Sequence, residues 1–221
     1  MSLPMQDSIS IAIVGGTGSL GMGLAGRLAR PGVRVLIGSR DAQRGADAAK
    51  DLNERLGTNF VEGMLNADAV REAELAVISV PYEGQEKMVA DLAGELRGKI
   101  VIDAVVPLLK GRPFVPEAGS ALLEAQKILG DDTPVIGALH NISALDLSAP
   151  DEPLGDVLVC GDSREAKERV IELLERIGAT GLDAGPAANA YVVEGLTGVL
   201  IALNRRYKSK HASVKITGIH E

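Results

Sequence analysis

Three glycines near the amino terminus have the spacing of a phosphate-binding turn. Gly16, Gly18 and Gly21 follow the pattern G-x-G-x-x-G, directly after the apolar run ISIAIV at residues 9–14. In such a turn the first glycine allows the tight turn, the second lets the backbone approach a pyrophosphate, and the third lets the next helix pack on the strand. The N–H groups at the start of that helix attract the anion. The pattern predicts a dinucleotide site, and its alternative is a purely structural strand-to-helix turn.

A second group of polar residues indicates which dinucleotide would bind. About 20 residues after the glycines, a chain that prefers NAD ends its second strand in Asp or Glu, which accepts hydrogen bonds from the ribose. Here that strand ends in Ser39 and Arg40, and Arg44 follows one turn into the next helix. A guanidinium can bind a 2′-phosphate bidentately and stack on adenine, and a serine hydroxyl can donate a further hydrogen bond. These residues predict NADP; the alternatives are a solvated Arg40 and a helix cap at Ser39 or Asp41.

Four further residues stand where predicted strands end, on the side where open α/β sheets bind ligands. Val80 and Tyr82 follow the fourth strand, Val106 lies on the crest after the fifth, and His140 follows the sixth. The backbone near Val80 and the ring of Tyr82 are candidate cofactor contacts, and the alternative is a plain loop with a surface tyrosine. The alternative for His140 is a structural histidine that pins the sixth strand to its neighbour.

The elements that would position these residues alternate regularly along the chain. Apolar runs predict strands at residues 9–14, 33–37, 60–63, 75–80, 99–104 and 134–139, and helical patterns predict helices at 20–28, 42–56, 66–73, 83–96 and 120–129. Residues 108–117, rich in proline, predict a loop. Strands that alternate with helices in this way form a parallel sheet covered on both faces. The predicted fold class is α/β, with a doubly wound, Rossmann-type parallel sheet.

The pattern changes after Asp146, where a smaller unit begins. Residues 151–153 (DEP) indicate a boundary. Beyond it we predict a strand at 156–160, a helix at 164–178, an extended segment at 180–185 and a long apolar helix at 187–206. We therefore expect a dinucleotide-binding domain at residues 1–145 and a small C-terminal α/β-helical domain at 146–221. The small apolar residues of the last helix favour a homodimer or a larger homo-oligomer.

Composition limits the remaining classes of function. The 221 residues carry a net charge of −7 and only 2% aromatic residues, which argues against nucleic-acid binding. The lone Cys160 has no partner for a disulfide or a metal site and is expected to be a buried thiol in a reducing compartment. No run is expected to be apolar enough to span a membrane, and residues 1–8, expected to be a loose extension, lack the pattern of a signal peptide. We expect a cytoplasmic protein with no metal.

Few side chains in the sequence are placed to act as a catalytic acid or base, which limits the reactions that the protein can catalyse. Reduction of a carbonyl or imine needs a positioned proton donor such as His, Lys or Tyr. Of the three histidines, two lie in the last eleven residues, so His140 is the main candidate. Hydride exchange between two organic carriers needs no such acid, because the protein mainly stacks two rings and excludes water. The second reaction class fits the sequence better.

Several segments together resemble the NADPH:coenzyme F420 oxidoreductases. They are GGTGSLG at residues 15–21, GSR at 38–40, ALHNISA at 138–144, VCGD at 159–162, LDAGP at 182–186 and VEGLT at 193–197. The likeness extends over nearly the whole chain from Ser10 onward. It implies a Rossmann fold and transfer of a hydride between the nicotinamide of NADP(H) and the deazaflavin of coenzyme F420.

The resemblance also implies roles for individual residues. It places Thr17, Gly18, Ser19 and Leu20 with Ser39, Arg40 and Arg44 around NADP, and Ala144 beside the nicotinamide. It places His140 and Ile142 in the cleft where the two rings stack, with the tail around Ala212 and the C-terminal domain closing the deazaflavin cleft. This sequence has Arg44 where the family can carry Lys, and Asn141-Ile142-Ser143 where some members have Thr-Ile-Pro.

Three alternative functions stay open. The same segments resemble the reductase domain of membrane ferric reductases that use flavin. A hydroxyacid dehydrogenase or pyrroline-carboxylate reductase would share the first half, but needs a helical domain larger than the roughly 75 residues after Asp146. A non-catalytic NADP sensor would show the same arginine pattern.

Overall fold

The computed structural model describes residues 9–149 and 154–219. The extension expected at residues 1–8 and the boundary expected at 151–153 lie outside the described residues. The strands are β1 Ile9–Val14, β2 Val33–Ser39, β3 Val61–Leu65, β4 Leu75–Ile78, β5 Ile100–Asp103, β6 Leu108–Leu109, β7 Arg112–Pro113, β8 Val135–Gly137, β9 Asp156–Val159 and β10 Thr180–Asp183. The helices are α1 Ser19–Leu28, α2 Ala42–Leu56, α3 Asn66–Glu72, α4 Tyr82–Asp91, α5 Ala93–Leu96, α6 Ala121–Leu129, α7 Ala144–Ser148, α8 Arg164–Arg176 and α9 Ala190–Tyr207.

The main sheet has six parallel strands in the order β3-β2-β1-β4-β5-β8. β1 lies between β2 and β4, with Ile13 opposite Ile37 on one side and Val77 on the other. The strand order therefore reverses at β1, and a crevice opens beside its carboxyl end. Ligands of doubly wound sheets bind in this crevice. The predicted α/β class and parallel sheet are confirmed.

Both faces of the sheet are buried, which explains the continuous apolar runs of its strands. Ile11 and Ile13 of β1 pack in the same cluster as Leu24 of α1. The alternate residues Ala12 and Val14 pack on the opposite face, with the helices that follow β3 and β4. Alternation of side chains along a strand places successive residues on opposite faces, so the apolar residues of β1 divide between two cores. The helix that carries the glycine turn is thus fixed to the centre of the sheet.

The C-terminal elements continue outward from the β8 edge. β9 and β10 form a parallel pair. Gly137 of β8 and Cys160 exchange two backbone hydrogen bonds of 2.8 and 3.0 Å in an antiparallel bridge. Cys160 is buried and not in a disulfide, as expected.

The last helix is unusually apolar. By length and composition alone, Ala187–Tyr207 could span a membrane, with a mean hydropathy of 1.2 and 28% of the window buried. The expectation that no segment passes this test is therefore wrong. In the structure, Glu194 and Thr197 of α9 hydrogen-bond to α6 and to the turn after β8. These are contacts of a helix packed on the rest of the protein.

Three local predictions also differ from the structure. Residues 108–117, expected to be a loop, contain the hairpin β6–β7, because Lys110 and Gly111 both adopt positive φ (51° and 74°), as a two-residue hairpin turn requires. The helix expected at 83–96 divides at Leu92 into α4 and α5. The short helix α7 was not predicted; Ser143 caps it by accepting a hydrogen bond from the Leu145 N–H at 3.2 Å.

Candidate functional site

The glycine turn has the geometry of a phosphate cradle. The Gly16 N–H donates to the carbonyls of Ile13 and Gly38, both at 3.0 Å. A Cβ at Gly16 would lie 2.7 Å from the Ile13 oxygen, and a Cβ at Gly21 would lie 2.6 Å from the Gly16 Cα. A Cβ at Gly18 would meet only the Gly15 oxygen at 3.5 Å, so this position faces open space. The first and third glycines are thus required by packing, and the second leaves room for a ligand.

The start of α1 adds donors to this cradle. Gly18 is the N-cap of the helix, and within residues 9–149 and 154–219 no side-chain cap hydrogen bond is made to the first turn. Its N–H groups therefore lack a side-chain partner where the helix dipole is positive, an arrangement that suits an anion. Thr17, Gly18, Ser19 and Leu20 lie here, with Gly18 and Ser19 exposed. The structure thus places four predicted residues at one helix start.

Two residues from other parts of the chain contact the turn, one at the start of α3 and one shortly after β4. The Gly15 N–H donates to Asn66 Oδ1 at 3.2 Å. A Cβ at Gly15, whose φ is +72°, would lie 2.7 Å from Val80 Cγ1. Val80 therefore lies against the cradle, as its position at the end of β4 suggested. The role of Asn66 was not predicted. The only indication of it in the sequence is that a polar residue stands between the end of β3 and the start of α3.

Two unpaired cations lie at the end of β2. Ser39 is buried, and its Oγ accepts a hydrogen bond from the Asp41 N–H at 3.2 Å. Asp41 in turn caps α2 through the Arg44 N–H at 3.0 Å. The side chains of Arg40 and Arg44 are exposed and form no ion pair or hydrogen bond within the described parts of the chain. The capping alternative for Asp41 is correct, and it leaves both guanidinium groups available for a phosphate.

Tyr82 and Val106 have protein neighbours of their own. The Tyr82 hydroxyl donates to Glu124 Oε1 at 3.2 Å, and its ring meets Phe114 edge to face at 5.1 Å. Burial, followed by the hydrogen bond to Glu124, raises the pKa of Tyr82 to about 12. Val106 is half-buried, one residue after Val105. Their contact with a cofactor stays a prediction.

His140 lies in an unusual environment. It is 3% exposed, and its carbonyl accepts a 2.6 Å hydrogen bond from Thr197 Oγ1 of α9. Its ring nitrogens Nδ1 and Nε2 are both buried and have no hydrogen-bond partner among the described residues. Burial lowers the pKa of His140 to about 4, so the imidazole is neutral at pH 7. Buried polar atoms normally have partners, so this ring is a candidate to contact a ligand.

The segment after His140 leads back toward the cradle. Ile142 is buried in the core cluster that also contains Leu139. Ala144 begins α7 and is half-buried, and it lines a groove together with Ser19 and Met22 of α1. This groove runs along α1 toward Arg55 and Leu56 at the end of α2, and of the residues of the cradle it includes only Ser19. Ala212, in the tail, donates its N–H to Asn204 Oδ1 at 2.9 Å.

Two buried carboxyl groups near the site were not predicted. Asp103 accepts hydrogen bonds from the Val105 N–H at 2.8 Å and from Gln85 Nε2 at 2.5 Å, and burial raises its pKa to about 7. Glu194 accepts from the N–H groups of Ala121 and Leu122 at 3.0 and 3.1 Å, and burial raises its pKa to about 8. Glu194 thus fastens α9 to the start of α6. The sequence indicated the role of Glu194 only by placing one acidic residue in the apolar helix α9.

The strand order and the glycine cradle define a protein of the Rossmann-type dinucleotide-binding class, with two exposed arginines at the end of β2. Comparison with known proteins makes this class more specific. Residues 10–107 match the family described as NADP oxidoreductase, coenzyme F420-dependent. An F420-dependent NADP reductase of Methanocaldococcus jannaschii is 37% identical over 223 residues, covering 96% of this chain and 99% of that relative. The chain belongs to the F420-dependent NADP reductase family.

Two other matches define the limits of this likeness. The crystal structure of a candidate F420-dependent NADP reductase from Arthrobacter sp. FB24 superposes with a TM-score of 0.81 at 26% identity, covering 96% of this chain and all of that one. Metalloreductase STEAP3 of Rattus norvegicus is 33% identical over 182 residues, 82% of this chain but only 35% of that protein. The match to the F420-dependent NADP reductases therefore covers far more of the relative's length than the match to the metalloreductase does.

Proposed function

We propose that this protein transfers a hydride between NADP(H) and coenzyme F420. Membership of the reductase family over nearly the whole chain is the observation that carries this proposal. In the forward direction, C4 of NADPH gives up a hydride, which forms a C–H bond at C5 of the oxidised deazaflavin, while a proton from solvent neutralises the reduced ring. The reverse reaction returns the hydride to NADP.

The residues of the β1–α1 turn and the end of β2 hold NADP. The N–H groups at the start of α1 bind the pyrophosphate, and the open space at Gly18 lets it approach. Arg40 and Arg44 bind the 2′-phosphate, and the Ser39 hydroxyl donates to it. The absence of an acidic residue at the end of β2 removes the usual partner of an unphosphorylated ribose.

His140, Ile142 and Ala144 form the wall where the rings meet. Ala144 begins α7, which packs directly on α1, the helix whose first turn binds the pyrophosphate. The neutral imidazole of His140 contacts the deazaflavin without adding charge, because its pKa lies well below 7. These residues orient two rings and exclude water, and no protein acid is needed.

The same proposal assigns different roles to the two domains of the chain. Residues 1–145 bind the dinucleotide, and residues 146–221 supply α9 and the tail around Ala212, which close the deazaflavin side. Support comes from two links across this division, Glu194 to the start of α6 and Thr197 to the His140 carbonyl.

We also propose that two copies associate through α9. The helix exposes large apolar side chains in this chain, namely Tyr191, Val192, Val199, Leu203 and Tyr207. The hairpin β6–β7 packs on α9 through Pro113 and Gly198, and it extends the same surface with Leu109 and Val115. Several large exposed apolar side chains on one helix and its neighbouring hairpin support an interaction site there. A homodimer in the cytoplasm, with Cys160 as a reduced thiol, completes the proposal.

A single spectroscopic experiment tests the reaction. NADPH is mixed with the protein and F420, FMN or neither, while the visible band of the oxidised deazaflavin and the NADPH band are followed. We expect loss of the F420 band with an equal loss of NADPH, and no comparable reaction with FMN. Fast reduction of FMN would favour the function of the metalloreductase relatives instead. Tight NADPH binding without turnover of either acceptor would indicate a sensor.

A further inference from the structure

One buried side-chain amide lies between the two places to which the phosphates of NADP are assigned. Asn66 is the first residue of α3 and is 7% exposed. Its Oδ1 accepts a hydrogen bond from the Gly15 N–H at 3.2 Å, where the glycine turn begins. Its Nδ2 lies 3.6 Å from Met88 Sδ of α4, which is a weak acceptor. Because Gly15 offers a donor and Met88 only an acceptor, the amide has one orientation that suits both neighbours.

The same oxygen atom lies against the end of β2. A Cβ built on Gly38 would approach Asn66 Oδ1 at 2.7 Å and Asn66 Cα at 3.2 Å. Gly38 is followed directly by Ser39 and Arg40, which are assigned to the 2′-phosphate. The Gly38 carbonyl also accepts the Gly16 N–H at 3.0 Å. The glycine turn and the end of β2 are therefore joined once through the backbone and once through the side chain of Asn66.

The sheet order explains why a residue from α3 can make both contacts. Gly15 follows β1, Gly38 is the last but one residue of β2, and Asn66 follows β3. β2 lies between β1 and β3 in the sheet. The Asn66 side chain thus reaches across the end of β2 to the turn after β1. If the amide were removed, the Gly15 N–H would lose this acceptor, which costs free energy.

We propose that Asn66 is a positioning residue for NADP, which fixes the distance between the glycine turn and the end of β2. This inference rests on the proposed function, which assigns the pyrophosphate to the turn and the 2′-phosphate to the end of β2. NADPH places a phosphate at both, whereas NADH places phosphate only at the turn. A ligand that binds two linked places gains affinity when they are held at the matching distance before it binds. Asn66 itself contacts neither phosphate in this proposal.

The test compares the dissociation constants of NADPH, NADH and adenosine 2′-phosphate for the wild type and for Asn66→Leu. Leucine has a similar shape but no oxygen to accept the Gly15 N–H. We expect the preference for NADPH over NADH to fall about 2- to 12-fold, the change that one net hydrogen bond corresponds to. Adenosine 2′-phosphate has no pyrophosphate and occupies only the end of β2, so its Kd should stay the same.

Asn53 of α2 offers a matched control. Its amide also binds the backbone of another element, since Nδ2 donates to the Val61 carbonyl at 2.7 Å and Oδ1 accepts the Val61 N–H at 3.2 Å. Val61 begins β3, at the opposite end of that strand from Asn66. Because it removes two such bonds, Asn53→Leu should lower the melting temperature at least as much as Asn66→Leu. It should leave the ratio of the NADPH and NADH dissociation constants unchanged.

Two further variants perturb the same contact differently. In Gly38→Ala the added Cβ must displace Asn66 Oδ1, so we expect a similar fall in the preference for NADPH. This variant carries the test if Asn66→Leu does not fold. In an Arg40→Ala background the end of β2 holds the 2′-phosphate weakly. Adding Asn66→Leu there should weaken NADPH and NADH equally, which is the non-additivity expected of two coupled residues.

The remaining results would each overturn the role of Asn66. Equal weakening of NADPH and NADH in Asn66→Leu alone would show that Asn66 supports only the turn. A larger Kd for adenosine 2′-phosphate would show that it acts on the 2′-phosphate place by itself. If neither Asn66→Leu nor Gly38→Ala folds, Asn66 is a structural residue. A wild-type protein that does not prefer NADPH would instead contradict the proposed binding of the 2′-phosphate at the end of β2.

Discussion

Gly23 of α1 lies directly against Leu147 of α7. A Cβ built on Gly23 would approach the Leu147 Cβ at 2.8 Å and the Ala144 oxygen at 3.2 Å. One turn later, Arg27 donates hydrogen bonds to the carbonyls of Asp146 at 2.6 Å and Leu147 at 3.2 Å. The helix that starts at the phosphate cradle therefore also sets the position of α7, and with it the position of Ala144.

We expect Gly23→Ala to slow hydride transfer, and Gly26→Ala serves as its control in the same helix. A Cβ at Gly26 would meet only Leu52 Cδ1 at 3.6 Å. Both changes gain up to about 1 kcal/mol of helix propensity. The extra methyl at residue 23 must displace α7, which costs about 1–3 kcal/mol. Single-turnover rates and NADPH affinities would show a slower transfer with near-normal binding for Gly23→Ala; equal rates for the two variants would contradict the coupling.

We expect Arg40→Ala to reduce the preference for NADPH over NADH. Loss of a hydrogen bond to a charged group costs about 1.5–3 kcal/mol, or roughly 10- to 150-fold in affinity. The affinity for NADH should hardly change, because NADH has no phosphate at this position. Titration of both nucleotides, with Arg97→Ala as a surface control, measures the effect. An unchanged preference would show that Arg40 is not the phosphate ligand.

We expect His140→Leu to leave the fold as stable as before while slowing hydride transfer to F420 at least tenfold. The stability expectation follows from the two ring nitrogens, which have no partner to lose among the described residues. The rate expectation follows from alignment, because a displacement of about 1 Å between reacting groups can cost a hundredfold. Thermal melts and stopped-flow traces are compared. A large loss of stability with normal transfer would identify a structural histidine.

Stability should fall as the pH rises from 6.5 to 8. Asp103 and Glu194 have pKa values raised to about 7 and about 8, so the stability linked to their protonation is present at low pH and is lost as the pH rises through those values. His140 acts in the opposite sense, since its pKa is lowered to about 4, but its contribution is complete above its unfolded value of 6.5. Of these three groups, only the two carboxyl groups change the free energy of unfolding between pH 6.5 and 8.

We expect a decrease of about 1–2 kcal/mol in the free energy of unfolding over this interval. Urea denaturation at the two pH values measures it. In Asp103→Asn the decrease should be smaller, because one of the two titrating groups is gone. A free energy of unfolding that stays constant over the same interval would mean that both carboxyl groups ionise normally in the folded protein.

The sequence predicts best those parts of the site whose geometry is local. The glycines of the turn and the cap at Asp41 act through neighbours within a few residues, so spacing alone indicates their roles. Asn66, Arg27 and Glu194 act on partners 51, 120 and 73 residues away, and no local pattern specifies such partners. The hairpin at Lys110 and Gly111 was missed because its prolines suggested an irregular loop. The features that the sequence does not predict are therefore mainly those that depend on packing between elements far apart in the chain.

The strand order also has a consequence for protein synthesis. After β3 has been added, the sheet is enlarged at one side only, by β4, then β5, then β8, and finally by the residues around Cys160. A chain emerging from the ribosome would thus add each new strand to the outer edge of the part already made, and would never need to open that part. Until residue 160 has been made, that edge carries unpaired backbone groups, which is where premature termination would leave the protein most prone to aggregation.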